Sequence, residues 1–149
     1  MKKILFCIIL LTAASLFAQD KKAPVDPATQ VNAFFQCLVE GRVDAAYDGL
    51  LKGTKIAEAT KDVAMLKEKT REAIRVFGDM SGADQVDVRN VGTRLQRITN
   101  VSHGKRFPMR WRFYFYKEEE NWRLIDIRID DRLADMFEEA ASTAAPVQS

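Results

Sequence analysis

The spacing of apolar residues changes once along this chain, near Gly82. Before Gly82, apolar side chains recur every three or four residues, as they do on one face of a helix. After it they alternate with polar side chains, as they do along a strand. Helices followed by a run of strands indicate an α+β domain, because both kinds of element must bury one apolar face against the other.

Three helices are predicted ahead of Gly82. Asp26 followed by Pro27 is typical of a helix start, and Gly41 is expected to end this first helix. A second, shorter helix is predicted over residues 42–52 and a third over residues 60–77, each with an apolar stripe on one side.

Four strands and a last helix are predicted after Gly82. The first strand opens at Val86 and Val88, and the others run over residues 93–102, 106–117 and 121–129. His103-Gly104 is expected to form a turn between the second and third strands. A frayed helix is predicted over residues 132–141.

The last two strands allow their pairing to be predicted. If Lys117 lies opposite Asn121 across a three-residue loop, Trp111 lies opposite Ile127. A shift by one residue would place Trp111 against Arg128, which disagrees with the burial pattern. The face expected to pack on the helices carries Met109, Trp111, Phe113 and Phe115.

The other face of these two strands alternates arginine with aromatic residues. In the same pairing, Arg112 lies opposite Asp126. Arginine and aromatic side chains are enriched at the centres of protein interfaces. The candidate interface consists of Arg110, Arg112, Tyr114, Tyr116, Trp122, Leu124 and Asp126. A solvated face, on which arginine stems cover the rings, and a site for an anionic ligand remain alternatives.

The N-terminus has the pattern of a secretory signal peptide. Lys2 and Lys3 precede a charge-free run over residues 4–17, and Ala18 offers a small residue for cleavage. The run is shorter than the roughly 20 residues of a spanning helix. Cleavage after Ala18 would give a periplasmic or secreted protein with no membrane span. An uncleaved N-terminal anchor is the alternative.

Composition argues against several classes of function. Removing Lys2 and Lys3 from the 23 basic residues would leave 21, equal to the 21 acidic ones, which argues against a nucleic-acid partner. After cleavage Cys37 is the one remaining cysteine, so no internal disulfide is expected. His103 is the only histidine, and no spacing predicts a metal site. No cofactor, metal-binding residue or catalytic residue is assigned.

The basic stretch between Arg89 and Lys117 contains no acidic residue. The next carboxylate within a strand is Asp126, which the predicted pairing places beside Arg112. A neighbouring guanidinium keeps a carboxylate ionised and lowers its pKa, which is the wrong state for a general acid. The usual residues of acid–base enzymes are therefore missing from the predicted sheet.

Two segments resemble NTF2-like domains. The opening pattern is Phe34-Phe35 followed by Leu38, Gly41, Ala46-Tyr47 and Leu50, and the closing strand is Trp122-Arg123-Leu124-Ile125-Asp126. The chain is similar to uncharacterised exported bacterial members of that superfamily. The resemblance implies three helices packed on a curved four-stranded antiparallel sheet, in a cone that often leaves a pocket. It also implies dimers formed through the outer sheet face.

These observations divide the chain into a signal peptide (1–18), a disordered lead (19–25), one NTF2-like domain (26–141) and a disordered tail (142–149). The expected function is that of an exported, non-enzymatic domain that binds a second copy of itself or a small apolar or anionic ligand. A pocket enzyme of isomerase or dehydratase type is the alternative. A deep cavity with convergent polar groups would favour the enzyme, and a filled cone with a flat aromatic sheet would favour the interaction domain.

Overall fold

A computed structural model describes residues 25–138. The predicted signal peptide, the tail and the lead up to residue 24 lie outside the described residues. The elements in chain order are α1 (Pro27–Val39), α2 (Val43–Leu51), a 3₁₀ helix (Lys55–Glu58), α3 (Thr60–Phe77), β1 (Met80–Val91), β2 (Leu95–Gly104), β3 (Met109–Glu118) and β4 (Asn121–Asp130). A C-terminal helix begins at Ala134 and is described to Glu138. The predicted α+β class is confirmed.

Helix α1 begins where the sequence predicts. The carboxylate of Asp26 accepts a hydrogen bond of 3.1 Å from the backbone N–H of Thr29, and Pro27 occupies the first turn. This bonding satisfies an amide that has no partner within the helix. Gly41 follows the helix with a φ of 73°, in the left-handed region that glycine adopts without strain. None of the helices within residues 25–138 is long and apolar enough to cross a membrane.

The four strands form one antiparallel sheet in the order β1-β2-β3-β4. Alternate residues of β3 point to opposite sides of this sheet. Met109, Trp111, Phe113 and Phe115 all face the helices and are buried, as predicted. Strand β2 continues to Gly104, so His103 lies within the strand and the turn follows it.

The predicted pairing of β3 with β4 is wrong. Their loop has two residues rather than three, because Glu118 pairs with Asn121 and Glu119 takes a φ of 52°. The register then changes by one residue between Tyr114 and Phe115, at a bulge on β4. Trp111 consequently pairs with Ile129, and not with Ile127.

The bulge explains why strict alternation failed on β4. Leu124 is separated by an odd number of positions from Ile127 and Ile129, so a regular strand could not turn all three toward the helices. With Ile125 as the extra residue, Leu124 lies opposite Phe115, and Ile127 lies opposite Phe113. Leu124 is 2% exposed, whereas Ile125 is 49% exposed.

The helix side of the sheet is filled by aromatic rings. Phe34 and Phe35 of α1 each contact Trp111 and Phe113, and Phe34 also contacts Tyr47. These ring centroids are 5.2–5.7 Å apart, in edge-to-face arrangements that aromatic pairs favour. The centre of the concave side is therefore a packed core.

Candidate interaction surface and pocket

The outer face of the sheet is ordered in rows that cross all four strands. From β1 to β4, the first row is Val91, Leu95, Tyr116 and Arg123. The second row is Arg89, Arg97, Tyr114 and Asp126. The third row is Asp87, Thr99, Arg112 and Arg128. The fourth row is Asp84, Val101, Arg110 and Asp130.

One end of this face is apolar and exposed, and we call it the apolar end. It consists of Val91, Leu95, Tyr116 and Ile125. Val91 is 71% exposed, Ile125 49%, Leu95 41% and Tyr116 37%. A shallow depression of about 310 Å³ lies here, between Leu95, Ile125 and Tyr114. Clustered exposed apolar residues mark interaction sites on soluble proteins.

The second and third rows carry charges of both signs. The Arg128 guanidinium lies 5.6 Å from the centre of the Tyr114 ring and donates a hydrogen bond of 2.9 Å to Asp126. On the opposite edge, Arg97 donates a hydrogen bond of 2.8 Å to Asp87. These side chains stay partly or fully accessible, so they can contact another molecule.

The fourth row is covered where it crosses β3 and β4, whereas Asp84 on β1 stays exposed. Arg110 is only 3% exposed; its Nε donates to Asp130, 2.9 Å away, and its Nη2 lies 3.6 Å from Asp135 of the C-terminal helix. Arg112 donates a second hydrogen bond to Asp130 at 2.6 Å. Burial raises the pKa of Asp130, but the bonds from Arg110 and the backbone N–H of Arg132 outweigh burial and hold this pKa below its usual value.

The structure separates the seven predicted interface residues. Tyr114, Tyr116, Arg112 and Asp126 share the outer face, but Arg110 is buried beside Asp130 and the C-terminal helix. Trp122 and Leu124 lie on the helix side, since they pair with Lys117 and Phe115, so their predicted place on the outer face is wrong. The predicted pairing of Arg112 with Asp126 is also wrong, because Arg112 pairs with Arg128 and Tyr114 with Asp126.

Three apolar residues of the outer face were not predicted to lie there from the sequence. Val91 and Leu95 flank the β1–β2 turn, and Ile125 is the bulge residue. The apolar positions on either side of Gly92 could have indicated an exposed hairpin end. The sequence around Gly92 could not have shown that this hairpin lies beside Tyr116, because their contact depends on the β2–β3 register.

The helix side retains a slot at its margin, between α3 and strands β3 and β4. The slot has a volume of about 320 Å³. Its walls are apolar and include Leu66, Ala73, Phe77, Met109, Ile127 and Ile129. Its polar lining consists of Thr70, Lys69, Asp130 and Asp131. The polar groups are few, and the carboxylate of Asp130 is already bonded to arginine.

The two residues with possible nucleophile or base chemistry lie elsewhere. Cys37 is partly buried and lines an open groove between α1 and α2, together with Trp122. His103 is exposed, with its Nε2 3.0 Å from a carboxylate oxygen of Asp84. Within residues 25–138, no group of three His, Cys, Asp or Glu side chains is placed to hold a metal ion.

Comparison with known proteins gives no relative: no protein-family model, curated protein or solved structure matches the chain. The resemblance to NTF2-like domains therefore stays a prediction from the quoted motifs. The interpretation of the site depends on its geometry.

Proposed function

We propose that this chain is an exported interaction domain of NTF2-like type that forms a homodimer through the outer face of its sheet. The filled centre of the concave side supports an interaction domain over a pocket enzyme. The observation that carries the proposal is the apolar end, where Val91, Leu95, Tyr116 and Ile125 remain exposed together.

A two-fold axis parallel to the strands, between β2 and β3, makes this face self-complementary. Such an axis exchanges β2 with β3, so Leu95 meets the partner's Tyr116. The apolar ends of both copies then cover each other. Packed sheets keep their strand directions within about 30°, which this arrangement allows. An isologous interface requires a patch that matches its own copy in this way.

The same axis also exchanges β1 with β4, and it brings opposite charges together. Arg89 faces the partner's Asp126, and Asp87 faces the partner's Arg128. Each contact occurs twice because of the symmetry. Opposite charges fix the orientation of two partners more than they add to affinity. The charged second and third rows therefore select this axis, while the apolar end supplies the driving force.

The alternative, an isomerase or dehydratase with a pocket, has weaker support. The centre of the concave side is occupied by the rings around Trp111. At the remaining slot, the lowered pKa of Asp130 keeps this carboxylate ionised, so it would be a poor general acid and a weak base. Within residues 25–138 the histidine lies outside the slot.

Charge reversal tests the proposed axis. Within one copy, Arg89 and Asp126 lie on β1 and β4, so roughly 14 Å of sheet separates them at the usual strand spacing. Arg89→Asp and Asp126→Arg should each weaken dimerisation about tenfold or more, because each creates two like-charge contacts. The double variant should recover most of the loss.

Sedimentation equilibrium provides the dissociation constants for these variants. Arg75→Asp on α3 is the matched control, since Arg75 is exposed and lies away from the sheet; it should leave dimerisation unchanged. A double variant that dimerises no better than either single variant would reject the proposed axis.

A further inference from the structure

The slot between α3 and β3–β4 has one hydroxyl group in its lining, that of Thr70, beside apolar walls and the charged side chains of Lys69, Asp130 and Asp131. Thr70 lines the slot and is 1% exposed, and its Oγ1 lies 2.7 Å from the hydroxyl oxygen of Tyr47. Tyr47 is fully buried behind it. Burial raises the pKa of Tyr47 to about 12, so this hydroxyl keeps its proton at neutral pH.

The hydroxyl groups of Tyr47 and Thr70 carry two hydrogen atoms, and the hydrogen bond between them uses only one. A single hydrogen bond joins Tyr47 and Thr70, so the second hydroxyl hydrogen has no partner within residues 25–138. If Thr70 were the donor, the unused hydrogen would be on Tyr47, buried away from the slot at a desolvation cost. Donation from Tyr47 to Thr70 avoids this cost and leaves the hydrogen of Thr70 for an acceptor in the slot.

The charges around the slot favour no ionic ligand. Lys69 and Asp131 are both exposed and have opposite signs. Asp130 is bonded to Arg110, Arg112 and the backbone of Arg132, which occupies its oxygens. A ligand with a net charge would therefore gain little here, and it would lose hydration on entering the apolar walls.

We propose that this slot binds a small neutral molecule with an apolar body and one hydrogen-bond acceptor, which Thr70 recognises. The volume of about 320 Å³ is at the lower end of the usual range for ligand pockets and suits a body of about two rings. Tyr47 acts as a positioning residue: by donating to Thr70, it directs the Thr70 hydrogen toward the ligand. A chain of two such bonds is stronger than either bond alone.

Two probes of the same shape test the inference. 2-Acetylnaphthalene carries a carbonyl acceptor, and 2-isopropenylnaphthalene replaces its oxygen with a CH₂ group. Titration of the full chain, followed through the NMR methyl signals of Leu66, Ile127 and Ile129, should locate both probes in the slot. The ketone should bind more tightly than the alkene by about three- to tenfold, the effect of one hydrogen bond.

Thr70→Val keeps the shape of the side chain and removes its hydroxyl, so it should remove the preference for the ketone and leave binding of the alkene unchanged. Thr70→Ser should keep the preference. Ala73→Leu fills the slot and should abolish binding of both probes. Alkene binding to the Thr70→Val variant also shows that the slot remains folded in this variant.

Three results would overturn the inference. The first is that the slot methyl signals respond to neither probe in the wild-type chain. The second is that the Ala73→Leu variant binds both probes as the wild type does. The third is that the Thr70→Val variant retains the preference for the ketone. The last result would mean that the Thr70 hydroxyl donates its hydrogen to a backbone carbonyl of its own helix, as threonine often does. The outcome is independent of dimerisation, because the slot shares no residue with the apolar end or with the second and third rows of the outer face.

Discussion

The two faces of the sheet bury their residues in different ways. On the helix side, Trp111, Phe113 and Phe115 are fully buried by rings and aliphatic side chains. On the outer side, Thr99 is buried in the third row, and Arg110 and Asp130 pair at one end beneath the C-terminal helix. The opposite end of the outer side leaves apolar residues such as Val91 exposed.

The residues that stabilise the fold and the residues that stay accessible to a partner are therefore on different faces of the sheet. The centre of the helix side is stabilised by apolar area removed from water, and the apolar area that stays accessible there lies in the slot at its margin. The outer side carries paired charges, whose net contribution is smaller because burial costs them hydration. Substitutions at the centre of the helix side should therefore affect stability, whereas substitutions at the apolar end of the outer side should affect association.

The largest expected effect comes from the centre of the helix side. Trp111→Ala should lower the free energy of unfolding by about 3–5 kcal/mol, since it removes a buried aromatic ring and leaves a cavity. Tyr116→Ala on the apolar end should cost less than about 1 kcal/mol in the monomer. Urea titration at low protein concentration measures both. Equal losses of unfolding free energy in the two variants would show that the helix side does not stabilise the fold more than the apolar end does.

Neighbouring residues on β4 test the bulge. Leu124→Ala should cost about 2–4 kcal/mol, because Leu124 is buried opposite Phe115, whereas Ile125→Ala should cost less than about 1 kcal/mol. The uninterrupted pairing expected from sequence places Leu124 outward and Ile125 inward. It would therefore give the reverse ranking in the same urea titrations.

The bulge also marks the limit of what the sequence could predict. The bounds of α1, α2 and α3 and the inward face of β3 followed from local spacing, and the structure agrees with them. The β3–β4 register did not, because three apolar residues of β4 compete for the helix side and only the packed core decides which residue is extruded. Tyr114 and Tyr116 were recognised as outward residues, since they share the alternation of β3.

The rest of the outer face required contacts between distant parts of the chain. Arg110 looked like an exposed interface residue, but it is buried by Asp130 and by a C-terminal helix whose position no local pattern indicates. Val91 and Leu95 join the apolar end only through the pairing of β2 with β3. Side chains that meet across strands are set by register, which spacing alone does not determine.

A smaller, pH-dependent effect is expected at the covered end of the outer face. The folded state lowers the pKa of Asp130, so its ionised form stabilises the fold above the unfolded pKa, near 3.9, and this contribution is lost as the pH falls through the folded value. Asp130→Asn should cost about 1–3 kcal/mol at about pH 7. The difference from wild type should shrink toward about pH 3.

Urea titrations at the two pH values measure this effect. Asp84→Asn is the matched control: Asp84 is an exposed carboxylate on the same face, and its substitution should change stability by less than about 0.5 kcal/mol at either pH. A cost for Asp130→Asn that is the same at both pH values would show that the charge of Asp130 does not stabilise this end.

The most direct test of the proposed dimer is sedimentation equilibrium of the wild-type chain and of its Tyr116→Glu variant. The wild type should be a dimer at high micromolar concentration, because the apolar ends of two copies cover each other. The variant should be a monomer with nearly unchanged stability, since Tyr116 is exposed in each copy. A wild type that stays monomeric at that concentration, or a variant that dimerises equally well, would contradict the proposal that the outer face is the interaction surface.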